Sequence, residues 1–241
     1  MTDGGGLVPS SPIRPSSRVL VEACVTGVEE ARAAQASGAD RLELCRDLEV
    51  GGLTPDLRVL EGVLAQVAVP VNAMVRLRPG SYRTRPGDVD AMAREVERLV
   101  AAGANGVVVG LLGSDGRIDA AATRALVASA SGRPVTFHRA LDATPDLLEA
   151  LEDVAGAGVA RVLTGGGPGA ASEGAPTLAE LVRRSREVIV LAGGRVRSDH
   201  VVGLVESTGV KEVHARAEAV GGIVQALAVR RSAGPRPASS D

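Results

Sequence analysis

Polar residues that could carry out chemistry recur at every second position in two short apolar stretches. "SGADRLELC" ends with Arg41, Glu43 and Cys45, and "VEACV" places Glu22 and Cys24 at the same interval. Because side chains alternate across a strand, residues two apart share one face. Carboxylates, a guanidinium and thiols on one face can transfer protons, hold an anion or ligate a metal ion.

Three further stretches continue the pattern. Arg76 follows "PVNAMV", His138 follows "PVTF", and His214 lies in "KEVHA". The segment "PVTFHRALD" adds Arg139 and Asp142. Histidine there could transfer protons, arginine could clamp an anion, and aspartate could orient either one. We therefore predict a polar site composed of Glu22, Glu43, Arg76, His138, Arg139, Asp142 and His214.

The stretches that carry these residues alternate with helical segments. Between residues 18 and 230, eight apolar runs read "RVLVEACV", "DRLELC", "PVNAMVR", "NGVVVG", "PVTFHR", "ARVLTG", "EVIVLAG" and "KEVHA". This alternation predicts a parallel α/β fold, and the count favours a single (β/α)8 TIM barrel. A doubly wound open sheet is less favoured, because no dinucleotide-binding glycine pattern follows the first run. In a closed barrel Leu42 and Leu44 face helices, so the polar set must point inward, near the C-terminal ends of the strands.

Local signals predict where the helices begin and end. Glycine followed by Ala or Val precedes four of the runs, and glycine can adopt the left-handed conformation that closes a helix. These glycines are Gly38, Gly103, Gly158 and Gly209. Thr54-Pro55 and Thr144-Pro145 predict two helix starts, with threonine as N-cap and proline at the first helical position.

An inward charged set has two interpretations. The carboxylates can pair with Arg41 or Arg76 as a self-neutralising core, because a buried charge needs a partner, or they can form a functional site. The glycine-rich segments "TGGGPG" and "AGGR" follow the sixth and seventh runs. They are compatible with a phosphate-binding backbone and equally with flexible loops, since neither contains lysine.

Composition excludes several classes of partner. The chain has 27 basic and 29 acidic residues, and Tyr82 and Phe137 are its only aromatics. It therefore lacks the basic field and the stacking surface of a nucleic-acid-binding protein. No apolar stretch reaches the length of a membrane span, so we expect no membrane partner. Residues 1–17 lack the pattern of a signal peptide. We predict a cytoplasmic protein with a disordered leader at 1–17, a barrel domain at 18–230 and a disordered tail at 231–241.

The two cysteines form a second candidate site. Cys24 and Cys45 face the same way on neighbouring predicted strands, which lie about 4.8 Å apart. Cytoplasmic thiols stay reduced, and two soft thiolates suit Cu(I), whereas structural zinc usually takes four ligands. His138 or His214 could add a ligand. On the pattern alone, apolar packing of both cysteines is slightly favoured over metal binding.

Seven segments, in order over roughly residues 19 to 216, resemble the CutC copper homeostasis proteins: "VEACV", "GADRLELC", "EVGGLTP", "DGRID", "PVTFHRALD", "RVLTGG" and "EVHARA". The resemblance implies a TIM barrel, a cytoplasmic location, a homo-oligomer and a role in copper handling. Cys24 and Cys45 match the cysteines proposed to bind Cu(I) in an animal member. The seven polar residues match the polar mouth of the family's barrel, which looks more like an enzyme site than a transport site. "AGGR" and "HARAE" depart from the family pattern, the latter by moving an arginine to position 216.

Three hypotheses follow. The chain is a copper homeostasis protein that binds Cu(I) through Cys24 and Cys45. Alternatively, it is a TIM-barrel enzyme for a small anionic metabolite, with His138 or Glu43 as acid or base and with Arg76 and Arg139 holding the anion. A scaffold with a vestigial site closed by internal ion pairs is the third.

Overall fold

The eight apolar runs form the strands of one closed parallel barrel. The structure is a computed structural model that describes residues 18–233. Each strand pairs in parallel with the next, and the last strand pairs with the first, which confirms the predicted (β/α)8 TIM barrel. The strands are β1 Leu20–Val25, β2 Arg41–Leu44, β3 Val71–Met74, β4 Gly106–Val109, β5 Val135–Phe137, β6 Arg161–Thr164, β7 Ile189–Gly193 and β8 Glu212–Arg216.

A helix follows every strand and covers its outward face. Leu42 and Leu44 of β2 are fully buried in the same apolar core as Leu60 and Val63 of the second helix, as the predicted face assignment requires. Three short 3-10 helices, Leu48–Val50, Arg139–Ala143 and Ala217–Ala219, lie in loops. The α-helices are α1 Val28–Ala36, α2 Leu57–Leu64, α3 Asp88–Ala101, α4 Ala120–Ser129, α5 Leu147–Gly156, α6 Ala175–Arg184, α7 Val201–Thr208 and α8 Val220–Ala233.

The predicted helix ends are confirmed, and the predicted helix starts are wrong. The four glycines that precede even-numbered strands all have positive φ, between 74° and 102°. The N-caps of α2 and α5 are Asp56 and Asp146 rather than the threonines. The Asp146 carboxylate accepts hydrogen bonds from two N–H groups of the first turn, whereas the Thr144 hydroxyl donates to the carbonyl of Leu141. At α5 a carboxylate next to the helix replaces the more distant hydroxyl as the cap, whereas Asp56 at α2 makes no side-chain capping hydrogen bond.

The predicted leader and most of the predicted tail lie at the two ends of the chain, beyond residues 18–233. The predicted leader at 1–17 lies outside the described residues, as does 234–241 of the predicted tail. Helix α8 continues past residue 230 to Ala233. Within residues 18–233, no helix is long and apolar enough to cross a membrane.

The N-terminal end of the barrel interior is filled by buried ion pairs. Arg41 pairs with Glu22 and, at 2.6 Å, with Glu212, and Arg161 pairs with Glu212 at 2.7 Å. Arg41, Arg161 and Glu212 are the first residues of their strands. Two guanidinium groups thus balance two carboxylates. The predicted pairing of inward carboxylates with Arg41 is confirmed, and it forms a charged floor below the mouth of the barrel.

Candidate functional site

A cavity of about 460 Å³ opens at the C-terminal end of the barrel. Five of the seven predicted polar residues line it: Glu43, His138, Arg139, Asp142 and His214. Cys24 lines it as well. The other two predicted residues do not line the cavity but contact residues that do. Glu22 contacts His214, and Arg76 contacts Tyr82. The strand order therefore gathers residues from distant parts of the sequence around one space.

The two cysteines are adjacent, and Cys24 lies at the wall of this cavity. Their Sγ atoms lie 3.5 Å apart, and the Cys24 Sγ lies 3.6 Å from the Glu43 Oε1. Both thiols are buried, in an apolar cluster that includes Met74. The hydrogen bond with Cys45, burial and the charge of Glu43 together raise the pKa of the Cys24 thiol well above its usual range. Cys24 is therefore a thiol at neutral pH and loses its proton only to a competing electrophile such as a metal ion.

His214 lies between two carboxylates. Its Nδ1 is 2.9 Å from the Glu22 Oε1, and its Nε2 is 4.0 Å from the Glu43 Oε1. Burial alone would lower the pKa of His214, but the charges of Glu43 and Glu22 outweigh burial and raise it. The two carboxyl groups respond in opposite directions. Burial raises the pKa of both carboxyl groups. For Glu22, His214 and Arg41 outweigh burial and lower the pKa to about 2. For Glu43 burial prevails, and the pKa is raised.

One group of three residues has the composition of a metal site. Cys24, Glu43 and His214 can each offer one ligand atom, and the three atoms lie within 4.8 Å of one another. Sulfur and imidazole nitrogen are donors that suit soft or borderline metal ions, whereas carboxylate oxygen suits hard ones. The arrangement can therefore bind a metal ion or, without one, exchange protons among its members.

His138 is held in a defined orientation through one ring nitrogen, and its other ring nitrogen has no hydrogen-bond partner among the described residues. Its Nδ1 accepts a hydrogen bond from the N–H of Ala140, so the ring proton of the neutral form is on Nε2. Burial and the charge of Arg76 lower the pKa of His138 to about 3, which keeps the ring neutral at physiological pH. The Nε2 is buried and has no hydrogen-bond partner in residues 18–233. A Cβ at position 110 would overlap the ring, so Gly110 makes room for it.

The Arg76 guanidinium organises two loops. It donates hydrogen bonds to the carbonyls of Val50, Gly52 and Gly80, at 2.9, 3.2 and 3.0 Å. It also lies 4.9 Å from the centre of the Tyr82 ring, which in turn contacts His138. Arg76 thus connects the loops after β2 and β3 to the wall of the cavity.

Asp142 binds the glycine-rich loop that follows β6. Its carboxylate accepts hydrogen bonds from the Thr164 hydroxyl and from the N–H groups of Gly165, at 3.0 Å, and Gly167, at 3.2 Å. Arg139 donates to the same carboxylate at 2.7 Å. The backbone donors that suggested a phosphate site in "TGGGPG" are therefore bound to a carboxylate of the protein itself.

Arg216 is a cavity residue that the predicted set does not contain. It lies beside Cys24 in the β1–β8 pairing, lines the cavity and is exposed. Among the described residues, its guanidinium makes no hydrogen bond or ion pair. The alternation of Glu212, His214 and Arg216 along β8 places it on the inward face, and that spacing could have identified it. Met74, on the inward face of β3, could have been found in the same way.

The sequence of the barrel matches one known family. The model of the CutC family matches residues 19–219. The chain belongs to the CutC family. A CutC family protein of Xanthomonas campestris is 40% identical over 198 residues, which are 82% of each chain. A human protein named copper homeostasis protein cutC homolog is 36% identical over 211 residues, covering 87% of this chain and 77% of the human one.

A solved CutC structure has the same fold. The putative copper homeostasis protein CutC of Streptococcus agalactiae superposes with a TM-score of 0.76 at 26% identity, over 81% of this chain and 97% of that one. Membership in the CutC family and the TIM barrel confirm the predicted resemblance. The Cys24, Glu43 and His214 group gives this CutC chain a possible metal-binding site consistent with a relation to copper.

Proposed function

We propose that this CutC protein binds Cu(I) through the thiolates of Cys24 and Cys45 and acts in copper homeostasis. The observation that carries this proposal is the 3.5 Å distance between the two Sγ atoms, at which one ion can contact both. Thiolates are the ligands that Cu(I) prefers. The apolar surroundings of the pair, which include Met74, also favour a soft ion over a hydrated hard one.

A third ligand is available at the same place. His214 and Glu43 both offer an atom near Cys24, and of the two the imidazole suits Cu(I) better than the carboxylate. Because the Cys24 thiol has a raised pKa, binding must release its proton, and Cu(I) affinity should rise with pH. In this proposal copper is the cargo of the protein, and the protein acts in the cytoplasm, where thiols stay reduced. The family resemblance supports a homo-oligomer, which light scattering would test.

Competition with a Cu(I) chelator under anaerobic conditions tests the cysteine pair. We expect Cys24→Ser combined with Cys45→Ser to lose most of the Cu(I) affinity of the parent protein. Met92→Leu is the matched control, because Met92 is a buried sulfur residue of α3 that does not line the cavity. Equal affinity in the parent protein and the double variant would exclude this proposal.

A second function is favoured by two buried atoms. The Oε2 of Glu43 and the Nε2 of His138 have no hydrogen-bond partner in the described chain, and both residues line the cavity. An unpaired buried polar group costs roughly 1–3 kcal/mol, which a bound substrate could offset. We propose as the alternative an enzyme for a small anionic metabolite, with Glu43 as acid or base and with the neutral ring of His138 as a donor.

In this alternative Arg76 and Arg139 have a positioning role rather than the anion-binding role predicted from the sequence. Arg76 and Arg139 already hold loop carbonyls and Asp142, so they position the walls around a substrate. A screen of small metabolites by thermal shift, followed by NMR detection of chemical change, tests this function. Tight Cu(I) binding combined with no stabilising metabolite would reject it.

A further inference from the structure

Two arginines near the mouth have no acidic partner among residues 18–233. The floor is neutral, because two arginines face two glutamates, and Arg139 is balanced by Asp142. Arg76 is buried but binds only backbone carbonyls, and no carboxylate among residues 18–233 pairs with it. Arg216 likewise has no acidic partner in this part of the chain. Of the carboxylates that line the cavity, Asp142 is bound to Arg139, and Glu43 has no arginine partner while burial disfavours its charge.

Arg216 is positioned to contact a ligand directly. It ends β8 beside Cys24, and its exposed side chain borders the cavity. Arginine binds carboxylate and phosphate groups in bidentate fashion, and here no protein group competes for its donors within the described residues. The buried charge of Arg76 adds to the attraction, because charges interact more strongly away from bulk water.

His138 supplies a second, uncharged contact. Its Nδ1 is fixed as an acceptor by Ala140, so the Nε2–H is a donor with no partner in the described structure. His138 borders the cavity, and a buried donor without a partner suits a carbonyl or hydroxyl oxygen of a ligand. Gly110 leaves space for this ring, because a Cβ at that position would overlap it.

We infer that the cavity binds a small organic anion that also carries a carbonyl or hydroxyl oxygen. Its carboxylate or phosphate contacts Arg216, and its oxygen accepts the hydrogen bond of His138 Nε2–H. This inference rests on the proposed enzymatic function and names its substrate class. It does not involve the sulfur atoms, so it is independent of copper binding.

The chain is well suited to a direct test because it contains only three histidines. Protein labelled with ¹⁵N-histidine would be titrated with pyruvate and with dihydroxyacetone phosphate, which carry the two kinds of anion. Acetone and inorganic phosphate each supply only half of the proposed ligand. We expect saturable shifts of the His138 Nε2–H signal with at least one of the two complete probes, and weaker ones with either half. His200 is an internal control, because it lies at the start of α7 and does not line the cavity.

Two matched variants test the anion contact. We expect Arg216→Met to weaken binding of the responding probe at least tenfold and Arg216→Lys to restore part of it. Arg195→Met is the control, because Arg195 is exposed in the loop after β7 and does not line the cavity. Both arginines are exposed, so neither substitution should impair folding.

The outcomes separate the hypotheses. The inference is overturned if no probe shifts the His138 signal at millimolar concentration, or if Arg216→Met and Arg195→Met bind equally. Binding at the predicted residues with no chemical change in the probe supports the anion site and counts against the catalytic function. Retention of probe binding in Cys24→Ser supports the independence of the anion site from copper.

Discussion

Acidification should destabilise this protein through His138. The pKa of this buried imidazole is lowered from an ordinary value of 6.5 to about 3. Because the folded pKa is depressed, the stability conferred by the neutral ring is fully present above about pH 6.5 and is lost as the pH falls toward 3. In that range the unfolded chain binds a proton at this residue and the folded chain does not.

The size of the effect follows from the two pKa values. At about pH 5 the unfolded form gains roughly 2 kcal/mol from protonation of His138, whereas near pH 7.5 it gains almost nothing. His214 and Glu43 act in the opposite direction, because their folded pKa values are raised. A total stability curve would therefore mix the contributions, and a variant of His138 is needed to separate them.

The comparison uses His138→Asn, whose side-chain oxygen can still accept the hydrogen bond of the Ala140 N–H. Urea unfolding would be followed by circular dichroism, since the chain has no Trp. Between about pH 7.5 and pH 5, the parent protein should lose about 2 kcal/mol more than the variant does. Equal losses in the two proteins, or an NMR titration showing His138 protonated near pH 6, would refute the argument.

Two substitutions test the packing on which the cavity depends. Gly110→Ala should destabilise the fold by about 1–3 kcal/mol, because its methyl group would overlap the His138 ring. Gly203→Ala is the matched control, since that position in α7 is open and alanine there should stabilise by about 0.5–1 kcal/mol. Glu212→Gln should destabilise by about 3–5 kcal/mol in urea unfolding, because it leaves the two buried arginines of the floor without their shared carboxylate. A loss well below 1 kcal/mol would mean that the floor tolerates an uncompensated charge.

The fold could be predicted because its signals are local and periodic. Alternation along each strand identified Leu42 and Leu44 as outward and Glu43 as inward, and both assignments are confirmed by burial and contacts. The glycines before even-numbered strands gave the helix ends. Helix starts could not be predicted in the same way, because several polar residues near α2 and α5 can serve as caps and the sequence does not show which lies closest to the first turn.

The partners within the site could be predicted only in part. Arg41 was recognised as inward, but its pairing with Glu212, 171 residues away, depends on barrel closure. Sequence could not show that Arg76 binds loop carbonyls, because loop conformation is not periodic. The inward position of Arg216 follows from the alternation of β8, whereas its lack of a partner depends on the surrounding loops.

The carboxylate of Asp142 has a consequence for the motion of the loop after β6. Gly165, Gly166 and Gly167 form the kind of segment that loses the most backbone entropy when it is ordered. The N–H groups of Gly165 and Gly167 bind Asp142 and that of Gly166 binds the Thr164 hydroxyl, so the segment is constrained without any external ligand. This side of the mouth should therefore be as ordered before a ligand arrives as afterwards.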